Sequence, residues 1–454
     1  MVAMDLFDRF LFAFTVGSHI ILVTMSISLI VIISIAEFIG TRNNDQYYLA
    51  LSNRLTKVFV ISFGVGTASG IVMAVELVNL FPVFMTLVSK TGVISLFYAE
   101  VFAFFLETIA LVVYVYYRNA FKGKYTHWIL SLFVALGTIG SAVFITMVNS
   151  WMNSPNGFDI AQFIATGQVT GIQPYAPFIT STSFAQIAHV ITTTVFTGTM
   201  IIGGYFAYKY LRSTGDVEKV FYTKGLKLAG IVSIVGIVLS GITGSHEMGT
   251  LLQFQPLKYA ALDLNLYPGA NMPERLFGFL QNGQFVWGIE VPNVQSLLAT
   301  FETGVATLPG LTQFPQSEWP PLYIHTTFDI MVTGGLLLGL YLFIIALLWI
   351  TKRAPFSKRY VLYFQGLMGI LSLLVYELGW VTDEVGRQPW IVYNVMTTTS
   401  AANYTTSLLL PGLFIVVFYI FLLPLTFYFF ARVFNSRTVK QDISRKEPSG
   451  GVNY

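Results

Sequence analysis

Residues 11–36 read LFAFTVGSHIILVTMSISLIVIISIA, and this stretch decides the fold class. It has no Asp, Glu, Lys or Arg, and it is longer than the roughly 20 residues that a helix needs to cross a bilayer. Comparable uncharged stretches recur along the 454-residue chain, which is 55% hydrophobic and only 10% charged. A soluble domain carries roughly 25% charged residues. The sequence therefore predicts an all-α integral membrane protein.

Hydropathy predicts nine membrane-spanning helices. We place them near residues 11–36, 58–80, 93–117, 128–148, 184–208, 228–244, 324–350, 361–384 and 406–431. Lys and Arg favour the cytoplasmic side of a membrane, so their distribution predicts the orientation. With the N-terminus outside, 20 of the 25 Lys and Arg residues lie in cytoplasmic loops or in the C-terminal tail. We therefore expect the N-terminus outside and the C-terminus in the cytoplasm.

This topology divides the chain into four parts. Residues 1–244 hold helices 1–6, residues 245–323 form a long external loop, residues 324–432 hold helices 7–9, and residues 433–454 form a cytoplasmic tail. The external loop is far longer than an ordinary connection and is rich in Pro, Gly, Asn and Gln, so we expect a folded cap. The basic, polar tail is expected to be a solvated end without chemistry.

The composition excludes several kinds of site. The chain has no cysteine, which excludes disulfides, thiolate metal sites, iron–sulfur clusters and c-type haem attachment. Any redox cofactor would have to be held by His, Met or carboxylate side chains. The net charge of +3 is too small to suggest a nucleic-acid partner.

Ionisable side chains within the predicted spans are costly to bury, so each is a candidate functional residue. With about 1.5 Å of rise per residue, most of them lie in one layer near the outer side, and Met331 lies in the same layer. Glu107 is deeper, near the midplane. The candidates are His19, Glu76, Glu100, Glu107, His189, Asp329, Glu377 and Glu384.

Helical spacing predicts which of these residues share a face. Glu100 and Glu107 are seven residues apart, as are Glu377 and Glu384, with Trp380 between the latter two. We expect both sets to face the interior of the bundle. For Glu107 two roles stay open: a structural hydrogen bond to a neighbouring helix, or a station in a proton relay.

Two of the five histidines are candidate haem ligands. His19 and His189 lie deep in their predicted spans, where each could either hydrogen-bond to a neighbouring helix or ligate haem iron. Met331 lies at the depth of His189; it is either core filler or the second ligand of a six-coordinate haem. Solvation at predicted helix ends explains the other three histidines, His127, His246 and His325.

The segment from Glu377 to Trp390, ELGWVTDEVGRQPW, resembles the signature E-x-G-W-x-x-x-E-x-G-R-Q-P-W of subunit I of cytochrome bd-type quinol oxidases. Nine helices and a long outer loop after the sixth agree with that family. Further similarities cover the whole chain: the spacing of Arg9 and His19, AFFLE at 103–107, NSWMNSP at 149–155, AHV at 188–190, KYAALD at 258–263 and IMV at 330–332.

The resemblance implies a set of haem ligands. His189 and Met331 would bind a low-spin haem b. His19 and Glu384 would each ligate one of two high-spin haems, a haem b and either a haem d or a third haem b, with the assignment left open. The resemblance also implies four residues around the haems, Glu377, Trp380, Arg9 and Arg387, of which the last can pair with haem propionates.

The resemblance also implies a reaction. Lys258 and Asp263 would bind quinol on the outer side, and Glu107, Glu100 and Ser141 would carry protons from the cytoplasm for the reduction of oxygen to water, without proton pumping. The chain would lie in the plasma membrane of a prokaryote, among lipid. It would pair with a second membrane subunit, either subunit II or a diverged homologue of subunit I, with room for a small single-helix subunit.

Three departures mark a divergent member. The family places a glutamate where this chain has Ala99, and the acid is Glu100 instead. The second helix carries its acid at Glu76, displaced from the family position, and Asp329 replaces an arginine two residues before the methionine ligand. Unless it is protonated or paired, Asp329 should lower the potential of the neighbouring haem.

Two other function classes remain open. One is a non-catalytic, diverged partner subunit of such an oxidase, although a diverged copy should have lost ligands that are all present here. The other is a transporter that uses the same buried carboxylates. The absorption spectrum of the purified protein separates these classes from an oxidase.

Overall fold

The computed structural model describes residues 2–117, 120, 123–305 and 307–444. Its helices are α1 (Val2–Asn43), α2 (Gln46–Leu80), α3 (Pro82–Lys90), α4 (Ile94–Tyr116), α5 (Thr126–Asn153), α6 (Ile160–Thr166), α7 (Ser183–Arg212), α8 (Asp216–Phe254), α9 (Pro256–Leu262), α10 (Val294–Thr303), α11 (Ile324–Ile350), α12 (Arg359–Gly386), α13 (Thr398–Ala401), α14 (Leu409–Phe434) and α15 (Val439–Ser444). Its strands are β1 (Gly269–Ala270), β2 (Glu274–Leu276), β3 (Phe279–Gln281), β4 (Gln284–Val286), β5 (Ile289–Val291), β6 (Thr307–Leu308), β7 (Trp390–Val392) and β8 (Met396–Thr397).

Within the described residues, nine helices are long and apolar enough to cross a membrane, and the predicted number is confirmed. They are α1, α2, α4, α5, α7, α8, α11, α12 and α14, the last preceded by a short turn from Thr406. Most of them extend beyond the predicted bounds. The largest difference is in the sixth, α8, which was predicted to end at residue 244 but continues to Phe254. Residues 245–254 are therefore helical rather than part of a loop.

Helices α1 and α7 form the centre of the bundle. In α1, 72% of the most apolar stretch is buried, against 11% in the ninth span. Small and hydroxyl residues allow the central contact: Ser28 Oγ donates to the carbonyl of Thr194 at 3.0 Å, and a Cβ at Gly198 would lie 2.1 Å from that Oγ. Close packing of this kind is how helices associate where lipid supplies no hydrophobic driving force.

The peripheral helices carry large apolar side chains on their outer faces. Phe102 and Ile109 on α4 are exposed, as are Leu336 and Phe343 on α11 and Phe421 on α14. In a membrane, such faces lie against lipid or against another apolar helix. Their positions agree with a multi-pass membrane protein.

The segment between α8 and α11 is a folded cap, as expected. Antiparallel strand pairs β2–β5 and β3–β4 lie between helices α9 and α10, and β1 pairs with β6, which follows α10. A small apolar core that includes Leu262, Leu308, Leu311 and Ile324 joins the cap to the start of α11.

The tail is less solvated than predicted. Helix α15 packs against α2, where buried Arg54 pairs with Asp442 at 2.5 Å and also stacks between the rings of Phe221 and Phe434. The expectation of a wholly solvated tail was wrong for helix α15, because the carboxylate of Asp442 is held by the buried guanidinium of Arg54. Residues 445–454 lie outside the described residues.

Candidate active site

One cavity of about 790 Å³ lies between α7, α8, α11, α12 and the cap. Five of the sequence-predicted site residues line it together: His189, Met331, Trp380, Lys258 and Asp263. The structure thus joins two predicted haem ligands and both predicted quinol-binding residues around one space. Cavities of this size are typical of sites for cofactors and small ligands.

The two candidate ligand histidines are oriented in the same way. Nδ1 of His189 lies 3.2 Å from the Thr243 hydroxyl, and Nδ1 of His19 lies 3.2 Å from the Ser69 hydroxyl. Ser69 is held in turn by Tyr419 at 2.6 Å. A hydrogen bond at one ring nitrogen orients the imidazole and leaves Nε2 as the donor for a metal.

The two buried or half-buried histidines at helix ends use both ring nitrogens. His127 contacts Glu37 through Nδ1 and the Tyr114 carbonyl through Nε2. His325 is only 1% exposed, and its two nitrogens lie 2.6 and 2.9 Å from backbone carbonyls. Solvation therefore does not explain His325, and that interpretation was wrong. Neither ring has a nitrogen left for iron.

Glycines leave room beside the candidate ligands. A Cβ at Gly244 would lie 3.1 Å from the ring of His189, and one at Gly379 would lie 3.1 Å from Sδ of Met331. These positions lie on helices that border the cavity. Space beside the donor atoms is what a flat macrocycle requires, so the residues present fit a haem held by His189 and Met331.

Glu384 is half-exposed towards open space, and its carboxylate has two partners. Arg387 donates to Oε2 at 2.6 Å, and Asn149 donates to Oε1 at 2.9 Å. Arg387 also donates to the side-chain oxygens of Asn149 and Asn153 at 2.7 and 3.0 Å. The predicted ligand and the predicted propionate partner are therefore joined to each other by a hydrogen bond, and each carboxylate oxygen keeps a lone pair.

Lys258 is buried and paired. Its ammonium group donates to Oδ1 of Asp383 at 2.6 Å and to the carbonyl of the same residue at 3.0 Å. Its stem crosses Gly386, where a Cβ would lie 2.7 Å from Cε. Asp383 also accepts from Asn149 at 3.0 Å. The contact joins the cap to the helix that carries Glu384.

Asp263 is buried in a polar network of the cap. Its Oδ2 accepts from Gln295 at 2.5 Å, and its carbonyl accepts from Arg275 at 3.3 Å. Burial and the nearby Glu274 raise the pKa of Asp263 well above its usual range. Burial, with a contribution from Asp329, raises the pKa of Glu274 to about 7. Two carboxyl groups that resist ionisation thus lie side by side on the cavity wall.

Asp329, which replaces the family arginine, is paired. It accepts from the backbone N–H of Phe277 at 2.5 Å and lies 3.1 Å from Nε2 of His325 on the same helix. Both nitrogens of His325 also lie within hydrogen-bond distance of backbone carbonyl oxygens. Asp329 therefore has a partner on its own helix and one in the cap, and its effect on the haem potential stays a prediction.

Two carboxylates of α4 each accept a hydroxyl from α5. Thr138 donates to Glu107 at 2.7 Å, and Ser141 donates to Glu100 at 2.8 Å. Gly137 allows the approach, because a Cβ there would lie 2.5 Å from the backbone nitrogen of Glu107. Ser141 therefore serves Glu100, and the hydroxyl partner of Glu107 is Thr138.

The remaining predicted residues lie away from the cavity. Glu377 faces α1, where a Cβ at Gly17 would lie 3.4 Å from Oε2. Glu76 accepts from Thr15 of α1 at 3.1 Å. Arg9 is half-buried in the first turns of α1. Trp380, by contrast, borders the cavity and packs edge-on against Tyr376.

Sequence reasoning missed three buried acids. Glu247 lies in the part of α8 that was assigned to a loop, and Glu37 lies just beyond the predicted end of the first span. Asp383 was not chosen as a candidate because its neighbour Glu384 matched the predicted ligand position. A signal for Glu247 was available in its spacing. It lies three residues after Gly244, so a helix that continues past Gly244 places Glu247 near the face that contacts His189.

The donor set suits axial haem ligation more than a protein-only metal centre. Among the residues that the structure describes, no group of three or more His, Cys, Asp or Glu is placed to hold a metal ion. His19, His189 and Met331 are not part of such a group, and an axial haem ligand does not need to be.

Comparison with known proteins agrees with this geometry. The family "Cytochrome bd terminal oxidase subunit I" matches residues 7–438. A Bacillus subtilis protein named "Putative cytochrome bd menaquinol oxidase subunit I" is 32% identical over 97% of this chain and 98% of its own length. A second protein of that organism, cytochrome bd ubiquinol oxidase subunit 1, is 28% identical over 87% of this chain and 85% of its own length.

The fold agrees as well. The structure of bd oxidase from Geobacillus thermodenitrificans superposes with a TM-score of 0.88 and 31% identity, covering 96% of this chain and 99% of that one. This is a multi-pass protein of a bacterial plasma membrane. The chain belongs to the cytochrome bd terminal oxidase subunit I family.

Proposed function

We propose that this chain is the haem-bearing catalytic subunit of a terminal oxidase, which oxidises quinol on the outer side of the membrane and reduces oxygen to water. The observation that carries the proposal is the shared cavity. His189 and Met331 line the same 790 Å³ space as Lys258 and Asp263. A substrate bound by the cap would lie beside the low-spin haem that this pair would hold, and electron transfer needs such proximity.

The ligand assignment follows the same residues. His189 and Met331 would hold a low-spin haem b, and His19 and Glu384 would each hold one of two high-spin haems, a haem b and a haem d or a third haem b. When bound, the haems would carry electrons from quinol to oxygen. The chain's own side chains would orient the imidazoles through Thr243 and Ser69 and would balance charge through Arg387.

The proton chemistry would be divided between the two sides of the membrane. Asp263 would take a proton from quinol on the outer side, where the cap lies. Glu107 and Glu100, each bonded to a hydroxyl of α5, would bring protons from the cytoplasm to the oxygen site. Release outside and uptake inside would build a proton gradient without pumping.

The substrate class would be a quinol. One relative is named for menaquinol and another for ubiquinol, so the proposal extends to the class and not to one quinone. The chain would act beside a second membrane subunit, either subunit II or a diverged homologue, and a small single-helix subunit has room on the apolar outer faces of the bundle.

Oxygen consumption tests the proposal. The complex purified with its companion subunits should consume oxygen when a quinol is added, and His189→Ala should abolish this activity. A surface variant, Glu318→Gln, serves as the control. Oxygen consumption that does not depend on added quinol, or equal oxygen consumption in His189→Ala, contradicts the proposal.

A further inference from the structure

Glu247 lines the same cavity as the residues that the proposed function uses. It lies in the stretch of α8 that continues past Gly244, and it borders the cavity together with Lys258 and Asp263. Nothing in the proposed function yet gives this carboxylate a role. Its position is outside the motifs that carry the family resemblance.

One oxygen of Glu247 is buried without a partner. Within the described part of the chain, Oε2 has no hydrogen-bond partner, while the side-chain amide of Gln186 hydrogen-bonds to the carboxylate. Gln186 is itself buried, lines the cavity, and lies three residues before His189 on α7. The amide therefore holds Glu247 in place and leaves one oxygen for a donor from outside the chain.

Three other carboxylates on the cavity wall already accept side-chain hydrogen bonds. Asp383 accepts from Lys258 and Asn149, Asp263 accepts from Gln295, and Glu302 accepts from Ser245. The ammonium group of Lys258 donates to Asp383. A buried polar oxygen without a donor is unfavourable. A hydrogen bond from a ligand hydroxyl to this oxygen would therefore contribute more binding free energy than the same hydrogen bond in water.

Quinol oxidation needs such an acceptor. A quinol has two hydroxyl groups and releases two protons for the two electrons that it gives up. Asp263 lies at the cap side of the cavity, and Glu247 comes from the α8 side. Of the five carboxylates that line the cavity, these two would take one proton each, because general base catalysis requires a base within hydrogen-bond reach of each hydroxyl.

We propose that Glu247 is a second proton acceptor for the quinol, a catalytic residue that accepts a hydrogen bond from one quinol hydroxyl through Oε2. This rests on the proposed function. In the step, the quinol O–H bond breaks and an O–H bond forms at Oε2. The quinol's two electrons would leave one at a time to the low-spin haem that His189 and Met331 would hold, which would pass the first electron on to the other haems before it takes the second. Asp263 takes the other proton, so quinol becomes quinone with both protons on the protein.

The test compares Glu247→Gln with Glu247→Asp in the intact complex, using a soluble quinol of short side chain. Glu247→Gln should lower kcat for quinol by about tenfold or more, since a positioned base contributes on the order of 10²–10⁴ in rate. KM should change little, because the amide keeps the shape. Glu247→Asp should recover part of kcat, and Glu218→Gln, in the first turn of the same helix, should match the unaltered complex.

Two further readouts separate a catalytic from a structural role. The low-spin haem content should be normal in Glu247→Gln, and oxygen consumption driven by an artificial one-electron donor that releases no proton should be unchanged. Unchanged quinol turnover, loss of haem, or an equal loss with the artificial donor each overturns the role of Glu247. If the unaltered complex neither binds haem nor oxidises quinol, the proposed function itself has failed.

Discussion

The ammonium group of Lys258 in the cap lies 2.6 Å from the carboxylate of Asp383, next in sequence to Glu384 on α12. The lysine side chain is 3% exposed and the aspartate side chain 25% exposed, so the pair is buried on the lysine side and half-buried on the other. It ties the helix that carries a predicted haem ligand to the cap that carries the predicted quinol site. A change in either place is therefore transmitted to the other through one salt bridge.

Removing one member of this pair should destabilise the protein. Lys258→Met removes the charge partner of Asp383, a change that costs about 3–5 kcal/mol in fully buried pairs and should cost less here, because Asp383 is half-exposed and keeps its hydrogen bond from Asn149. Lys258→Met combined with Asp383→Leu should cost less than the sum of the single changes. Thermal unfolding in detergent measures this, with Glu290→Gln of the exposed Arg275–Glu290 pair as the control. Additive losses would show that the two groups do not interact.

Met331→Leu should convert the low-spin haem b into a five-coordinate or weakly bound species and stop quinol oxidation. Leucine keeps the volume and removes the sulfur donor. The absorption spectrum of the reduced protein checks this, and Met368→Leu, a buried methionine that does not line the cavity, is the matched control. Low-spin bands that persist in Met331→Leu would make Met331 core filler.

Glu384→Ala should remove one high-spin haem and spare the low-spin haem. The carboxylate is the predicted ligand of that haem, whereas His189 and Met331 line the cavity and Glu384 does not. Extraction and quantification of haem per complex checks the prediction. Arg387 keeps Asn149 and Asn153 as partners, so the loop should stay folded. A full complement of three haems in this variant would refute the assignment.

Glu107→Gln should slow oxygen turnover while leaving reduction of the low-spin haem by quinol intact, because protons for the oxygen site would arrive late. Thr138→Val keeps the carboxyl and removes its 2.7 Å hydrogen bond, so it should have a smaller effect. Stopped-flow reduction and steady-state oxygen consumption separate the two steps. Full turnover in Glu107→Gln, with normal haem content, would leave Glu107 a structural residue.

Glu274→Gln should move the acidic limb of the quinol oxidation profile to lower pH. Asp263 must be ionised to accept a proton, so activity rises as pH rises through the pKa of Asp263. Glu274 raises that pKa, and the neutral amide removes its contribution. The pH dependence of kcat/KM for quinol measures the shift, with Glu318→Gln as the control. An acidic limb at the same pH would show that Asp263 is not the group that titrates.

Hydropathy predicted all nine spans because each crosses the bilayer with few charges. The depth estimate likewise brought His189 and Met331 to one cavity, since both lie on helices that begin at the same side. The hydropathy pattern did not predict where the helices end. The polar stretch after Gly244 lowers the hydropathy of α8, yet the helix continues to Phe254 where the cap packs on it. Glu247 was therefore assigned to a loop.

Partners of charged residues were beyond the reach of the sequence. Asp329 contacts His325 one turn away, a spacing that was visible, and accepts from the Phe277 amide of the cap, which was not. The sequence grouped Ser141 with both Glu107 and Glu100, whereas the register of α4 against α5 pairs Ser141 with Glu100. Such choices depend on a shift of a few ångströms between helices, which no pattern in a single chain specifies.

The difference spectrum of the purified complex, reduced by quinol minus oxidised by air, tests the central claim most directly. We predict low-spin haem b bands that appear on addition of quinol, together with bands of the high-spin haems, and that vanish when oxygen is admitted. The low-spin bands should be absent in His189→Ala. A spectrum without haem bands, or haem bands that quinol does not reduce, would contradict the account.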